Sequence, residues 1–193
     1  MLTVLRTIGW LACVVYFTIP LFWLVIHTPI DYWRSRRRLP YGWIVPGWMA
    51  SWVVLALITM RWRAVLLYHG AWMWVPAIAL FVVGFWLYRE AGVNFSKQQL
   101  YGLPELNAEG AEQRLVTTGI RARVRHPVYL AHLCEMLAWS VGAGLALCYV
   151  LTAFAMVTGA VMIRKEDMEL EGRFGEEYRA YKAAVPAVFP HLV

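Results

Sequence analysis

The chain reads as an all-α integral membrane protein of about five transmembrane helices, the last two forming a C-terminal hairpin, followed by a cytoplasmic amphipathic helix. Three observations predict this. Of 193 residues, 61% are hydrophobic and the mean hydropathy is +0.53, more apolar surface than a water-soluble domain of this size can bury. The apolar residues gather in runs of about bilayer length. Finally, fifteen of the eighteen Lys and Arg fall in the segments 31–41, 89–126 and the tail from Arg164, leaving Arg6, Arg61 and Arg63 elsewhere. Five crossings put those three segments on one side, and the positive-inside tendency makes that side cytoplasmic.

Taken in order, the first span runs from about Ile8 to Ile26, with Pro20 inside it and Pro29 stopping it. It is too long for a secretory h-region and no small-residue cleavage site follows, so it is expected to be retained. The second span covers about Trp43 to Met60 and the third about Trp72 to Tyr88, with Trp33, Trp43, Trp62 and Trp72 at the edges where an interfacial aromatic belt belongs. From Arg89 to Arg125 the chain is polar, with Asn94, Pro104 and Asn107. Val128 to Ile163 is apolar again, broken near Gly142 and Gly144 as a helical hairpin, its first arm short for a full crossing. The tail from Arg164 is expected to be a charged amphipathic helix ended by Pro186. No repeat divides the chain: 1–193 is one domain, with 1–90 a three-helix scaffold and 91–193 the loop, hairpin and tail.

A net charge of +6 suits loops facing anionic lipid rather than nucleic acid, because the basic residues flank apolar segments and build no separate basic face. Cys13, Cys134 and Cys148 lie singly in apolar runs, without metal-ligand spacing, and read as packing.

Two polar blocks stand out from this scaffold. The first, from Arg114, ends in Arg125-His126-Pro127-Val128-Tyr129 at the threshold of an apolar segment. Proline in a first helical turn, with histidine just ahead, leaves backbone N–H groups at the helix start and predicts a seat for an anion. The second block brings carboxylates: Glu166 and Asp167 read as functional, Glu169 and Glu171 as a solvated face. Arg164 is either an interfacial anchor or a holder of an acidic substrate. Arg121 and Arg123 are expected to face lipid headgroups, and Tyr178 and Tyr181 to serve packing. Within the hairpin, His132 and Glu135 share a helix face. A carboxylate at that depth costs roughly 2.5–3.5 kcal/mol on insertion scales, so Glu135 needs a partner helix or a polar cavity.

The motifs Leu115-Val116-x-x-Gly119, Arg125-His126-Pro127-x-Tyr129, Glu166-Asp167-x-x-Leu170, Phe174-Gly175-x-x-Tyr178-x-x-Tyr181 and Val185-Pro186 with Pro190 form an ordered set. It resembles the integral membrane methyltransferases of the isoprenylcysteine carboxyl methyltransferase and phospholipid methyltransferase group. The resemblance covers Leu115 to the C-terminus, and the upstream helices agree only in kind. Departures are Ile120 in place of a usual proline, Asp167 in place of a second glutamate, and Ala131-His132 where Gly-Glu is common.

The resemblance implies S-adenosylmethionine as cofactor, held by Leu115, Val116, Gly119, Ile120, Arg125, His126, Pro127, Tyr129, Glu166 and Asp167. It also implies a hydrophobic or lipid-borne acceptor arriving from the bilayer, with Arg164, Glu166, His132 and Glu135 as catalytic candidates. In these roles, N–H donors after His126 and the Arg125 guanidinium take the cofactor's carboxylate. Glu166 and Asp167 take its ammonium, ribose hydroxyls and sulfonium. Leu115, Val116 or Ile120 cover the adenine. Isoprenylcysteine-type carboxylate O-methylation is favoured, with Arg164 orienting the carboxylate. N-methylation of a phospholipid or other amine is the alternative, with His132, Glu135 or Glu166 as base. No glycine-rich nucleotide loop follows a strand, which excludes a soluble Rossmann-type methyltransferase. Membrane sterol-type reductases using NADPH carry a similar Arg-His-Pro-x-Tyr element and are a rival reading. A non-catalytic role, with acids and arginines only holding helices together, is another. The sequence leaves the oligomeric state open.

Overall fold

The computed structural model describes residues 1–36, 41–93, 99, 106 and 114–190. Residues 37–40 of the first basic loop and most of the polar stretch 94–113, including Asn94, Pro104 and Asn107, lie outside the described residues, as do 191–193. The described helices are α1 (Leu2–Phe17), α2 (Ile19–His27), α3 (Ile30–Arg36), α4 (Tyr41–Thr59), α5 (Trp74–Gly92), α6 (Pro127–Ala143), α7 (Ala146–Phe174) and α8 (Glu176–Ala184). Short 3₁₀ turns extend α4 to Trp62 and begin α5 at Ala71. Four stretches are long and apolar enough to cross a bilayer: Leu2–His27, Tyr41–Trp62, Ala71–Gly92 and Ala146–Phe174. α6, the arm read from sequence as a further crossing, is not among these four; its 17 residues extend about 26 Å at 1.5 Å per residue, short as expected.

The first span is one traverse made of two helices. Pro20 carries no N–H and interrupts the backbone ladder there, and Thr18 sits at the break. The Thr18 hydroxyl accepts hydrogen bonds from the indoles of Trp48 and Trp52 at 2.8 and 3.0 Å, tying α4 to the junction. The main core joins Trp10, Cys13 and Val14 of α1, Met136 and Ala143 of α6, and Cys148, Leu151 and Ala155 of α7. Two of the three cysteines are therefore in the core, and all three are buried.

The most extensive helix contact is α5 on α6. Gly84 permits it: a Cβ there would stand 2.9 Å from Glu135 Cγ and 3.3 Å from the Ala131 carbonyl. At the hairpin turn Gly144 adopts φ +67°, a left-handed conformation that lets α6 end and α7 start within three residues. The turn is pinned by Leu67 N–H to Gly144 O at 2.8 Å, Ala146 N–H to Val65 O at 3.0 Å, and the Tyr68 hydroxyl to Val141 O at 2.7 Å. Arg6 donates to Ala143 O at 3.2 Å at this same end.

The tail departs from the expectation of a helix beginning at Arg164. α7 continues without a break from the apolar hairpin through Arg164 to Phe174, because no proline or positive-φ residue interrupts it before Gly175. The separate amphipathic helix is α8, which starts at Glu176 after Gly175 turns the chain at φ +56°. The acidic residues are thus a rigid extension of a membrane helix.

Candidate functional site

Beyond α8, Pro186 prevents helix continuation and residues 185–190 run as an irregular strap along the start of α6. The loop and strap are stitched by backbone pairing: Arg125 N–H to Pro186 O and His126 N–H to Ala187 O, both at 2.9 Å. The Arg125 guanidinium donates to the carbonyls of Lys182, at 3.1 Å, and Val185. It also meets Asp167 Oδ2 at 2.8 Å, with both side chains 8% exposed. Asp167 Oδ1 is 2.8 Å from His126 Nε2 and accepts from the Tyr178 hydroxyl. A single buried carboxylate on α7 thereby gathers the Arg-His-Pro loop, α8 and the strap, with the charge compensation a buried carboxylate requires.

The backbone N–H groups expected to seat an anion are those after His126, at the start of α6, and those of Arg125 and His126 are engaged otherwise. Their N–H groups face the strap's carbonyls, because a chain forced out of helix by Pro186 presents its carbonyls unpaired. Tyr178 and Tyr181 do more than pack. The Tyr181 hydroxyl donates to Arg121 O at 2.7 Å, and burial pushes its phenol up to about 12. Burial, and then the bond to Asp167, raise the Tyr178 phenol well above its ordinary value, so it stays a donor. Arg121 does not face headgroups either. It is buried and donates to Ala91 O at 2.7 Å, closing the end of α5. Glu169, expected on a solvated face, is 10% exposed and pairs with Arg34 of α3 at 2.6 Å and Arg173 at 3.1 Å.

Glu166 stands beside this clamp without being consumed by it. Its Oε2 lies 3.6 Å from His126 Nδ1, and that oxygen is enclosed with no hydrogen-bond partner among the described residues. Gly119, at φ +65°, has open space where a Cβ would be. Leu115 and Val116 are half-buried just before it, whereas Ile120 packs toward Leu87, Ala131 and Cys134 between α5 and α6. Pro127 is fully buried at the start of α6. Arg164 is exposed on the flank of α7, one turn past Ala160, and makes no hydrogen bond or ion pair among the described residues.

A cavity of about 250 Å³ opens between α1, α2, α6 and α7 on the membrane side of the clamp. Its walls are mainly apolar, including Met136, Met156 and Ile163, and Val188 and Phe189 of the strap border it. Ala160 also lines it, which sets Arg164 near its margin. Tyr129, His132 and Tyr16 are its polar-headed members. Glu135 does not line it. That carboxylate is 1% exposed behind Tyr16, whose hydroxyl donates to it. Nothing in the sequence marks Tyr16, Val188 or Phe189 as members, since each is an ordinary residue of an apolar stretch until the elements converge.

The chain is 28% identical over 151 residues to human protein-S-isoprenylcysteine O-methyltransferase and 26% identical over 151 residues to the mouse protein of that name. Each match covers 75% of this chain and 50% of the relative, so the chain spans about half the length of these curated relatives. It is also 37% identical over 59 residues to an uncharacterized protein of Haemophilus influenzae, covering 30% of this chain and 94% of that one. No family model and no solved structure matches.

Proposed function

Because this chain is a relative of the isoprenylcysteine carboxyl methyltransferase group, we propose that it is an S-adenosylmethionine-dependent methyltransferase of the membrane boundary. The observation that carries the reading is the meeting of the Arg-His-Pro loop with the acidic end of α7, where Glu166 keeps an enclosed, unpartnered oxygen beside His126. An enclosed carboxylate oxygen without a donor is matched by a ligand rich in hydroxyl and ammonium donors, which fits this cofactor. Glu166 takes those donors. Gly119 gives the backbone room for close approach, and Leu115 and Val116 supply apolar cover for a base. Arg125, His126 and Asp167 act chiefly by fixing the loop against α8 and the strap, while the His126 ring borders the ligand.

When bound, the cofactor supplies an activated methyl group on a sulfonium. What remains for the protein is alignment and exclusion of water. The cavity beside the clamp is suited to the hydrophobic body of the acceptor, entering from the lipid. Arg164, exposed at the margin of that cavity, orients a carboxylate end toward the methyl. A carboxylate acceptor, consistent with the O-methylation in the relatives' name, carries no proton to be removed at neutral pH, so no base is required. By the positive-inside count the clamp lies at the cytoplasmic face.

Isothermal titration of the purified protein against S-adenosylhomocysteine and against NADPH tests the reading. Binding of S-adenosylhomocysteine alone is expected. Binding of NADPH alone overturns the proposal in favour of a reductase, and binding of neither reduces the clamp to a structural tie.

A further inference from the structure

The proposed reaction leaves one part of the cavity unexplained. A hydrocarbon chain is held by apolar walls alone, and a polar group in such a wall is unfavourable unless it is hydrogen-bonded. The bond from Tyr16 to Glu135 accounts for itself as a tie between α1 and α6. His132 does not. It lines the cavity, yet no side chain among the described residues is hydrogen-bonded to it. Its Nδ1 is enclosed beside the Val128 carbonyl one turn earlier. The ring is held in place by edge contacts with Tyr16 and Tyr88, at centroid distances of 5.6 and 5.2 Å. A polar ring fixed by its neighbours, with no side-chain partner among the described residues, has one nitrogen left for a partner from outside.

We infer that His132 recognises a hydroxyl group on the hydrophobic body of the molecule that fills this cavity. The inference rests on the reading of the cavity as the acceptor's seat, and it adds a specificity determinant to that reading. With Nδ1–H directed at the Val128 carbonyl, neutral imidazole leaves Nε2 as an acceptor, so the matching group is a donor. Neither a plain hydrocarbon nor a ketone satisfies it. His132 lies six residues beyond His126, about 9 Å farther along α6. The hydroxyl is therefore on the acceptor's body, away from the end presented to Arg164. Glu135, whose Oε1 is also enclosed without a hydrogen-bond partner, accepts from the Tyr16 hydroxyl, so that group does not compete with His132 for the contact.

The test uses 2-naphthol and naphthalene, which share a ring frame and differ by one hydroxyl. Retention of each by the full chain in lipid nanodiscs is measured by equilibrium dialysis, with empty nanodiscs subtracted. The expected result is a preference for 2-naphthol on the order of fivefold, the worth of one neutral hydrogen bond. The preference is lost in His132→Phe and retained in part in His132→Gln, whose amide oxygen also accepts. Equal retention of the two probes by the wild type overturns the inference, as does a preference that survives in His132→Phe. S-adenosylhomocysteine titration of the same samples reports folding of each variant. If His132→Phe does not fold, the wild-type preference and its loss in His132→Leu decide. Failure of the wild type to bind S-adenosylhomocysteine defeats the methyltransferase reading, while the naphthol preference still decides the His132 contact.

Discussion

Glu166 and Arg125 show how adjacent positions in one cluster carry different duties. Glu166→Gln removes a charge from a group whose oxygen has no hydrogen-bond partner among the described residues, so the fold should persist while S-adenosylhomocysteine affinity falls by about tenfold or more, the loss of one charge-assisted hydrogen bond of roughly 1.5–3 kcal/mol. Unchanged affinity by titration would take this carboxylate out of the site. Arg125→Lys keeps the charge but cannot reach Asp167 and the two carbonyls together, because an ammonium lacks the planar fork. Hydrogen exchange in residues 176–190 should therefore rise in that variant while α6 and α7 stay protected. At this scale the sequence was informative where chemistry and spacing coincided. Arg125, His126, Glu166 and Asp167 were all singled out and do meet. Tyr178, a member of the motif set, reads from sequence as packing, because its partner lies across the chain reversal at Gly175, and a tyrosine three residues from another on a helix looks the same whether it packs or donates. Arg121 and Glu169 were misjudged for a related reason: their partners, Ala91 O and Arg34, are on distant elements.

Helices show the opposite balance. Apolar runs marked the four stretches long enough to cross a bilayer, and the hairpin break near Gly142 and Gly144 fell where α6 ends. Charge was a poorer guide to where one helix stops: the polar residues after Ile163 suggested a new element, yet backbone geometry contains nothing that breaks α7 before Gly175. Side-chain polarity changes at Arg164 and conformation does not. The hairpin's dependence on its turn can be tested directly. At Gly144 a side chain meets both a φ of +67° and the Tyr68 ring and carbonyl at 2.8 and 3.0 Å. Gly144→Val should destabilise the protein by at least about 1–2 kcal/mol from the left-handed conformation alone, with the clash adding to it. A lowered unfolding midpoint in a detergent titration is the expected result, and an unchanged one would contradict the tight turn.

For the molecule as a whole, the polar blocks and α3 gather at one end, joined by Arg34 and Glu169, while Arg6, the 65–67 segment and the hairpin turn share the other. The buried native cysteines leave surface labelling unobscured. A membrane-impermeant maleimide should reach Glu176→Cys only in inside-out vesicles and Arg63→Cys only in intact cells, and labelling of both from one side would overturn the five-traverse arrangement. The uninterrupted α7 has a mechanical corollary. Because the lipid-embedded wall of the cavity and the acid pair are parts of one stiff rod, the thickness of the surrounding bilayer fixes how far Glu166 projects past the headgroups. Turnover in nanodiscs of graded acyl-chain length should therefore peak at one thickness and decline on both sides, making the lipid a tuning element for the reaction.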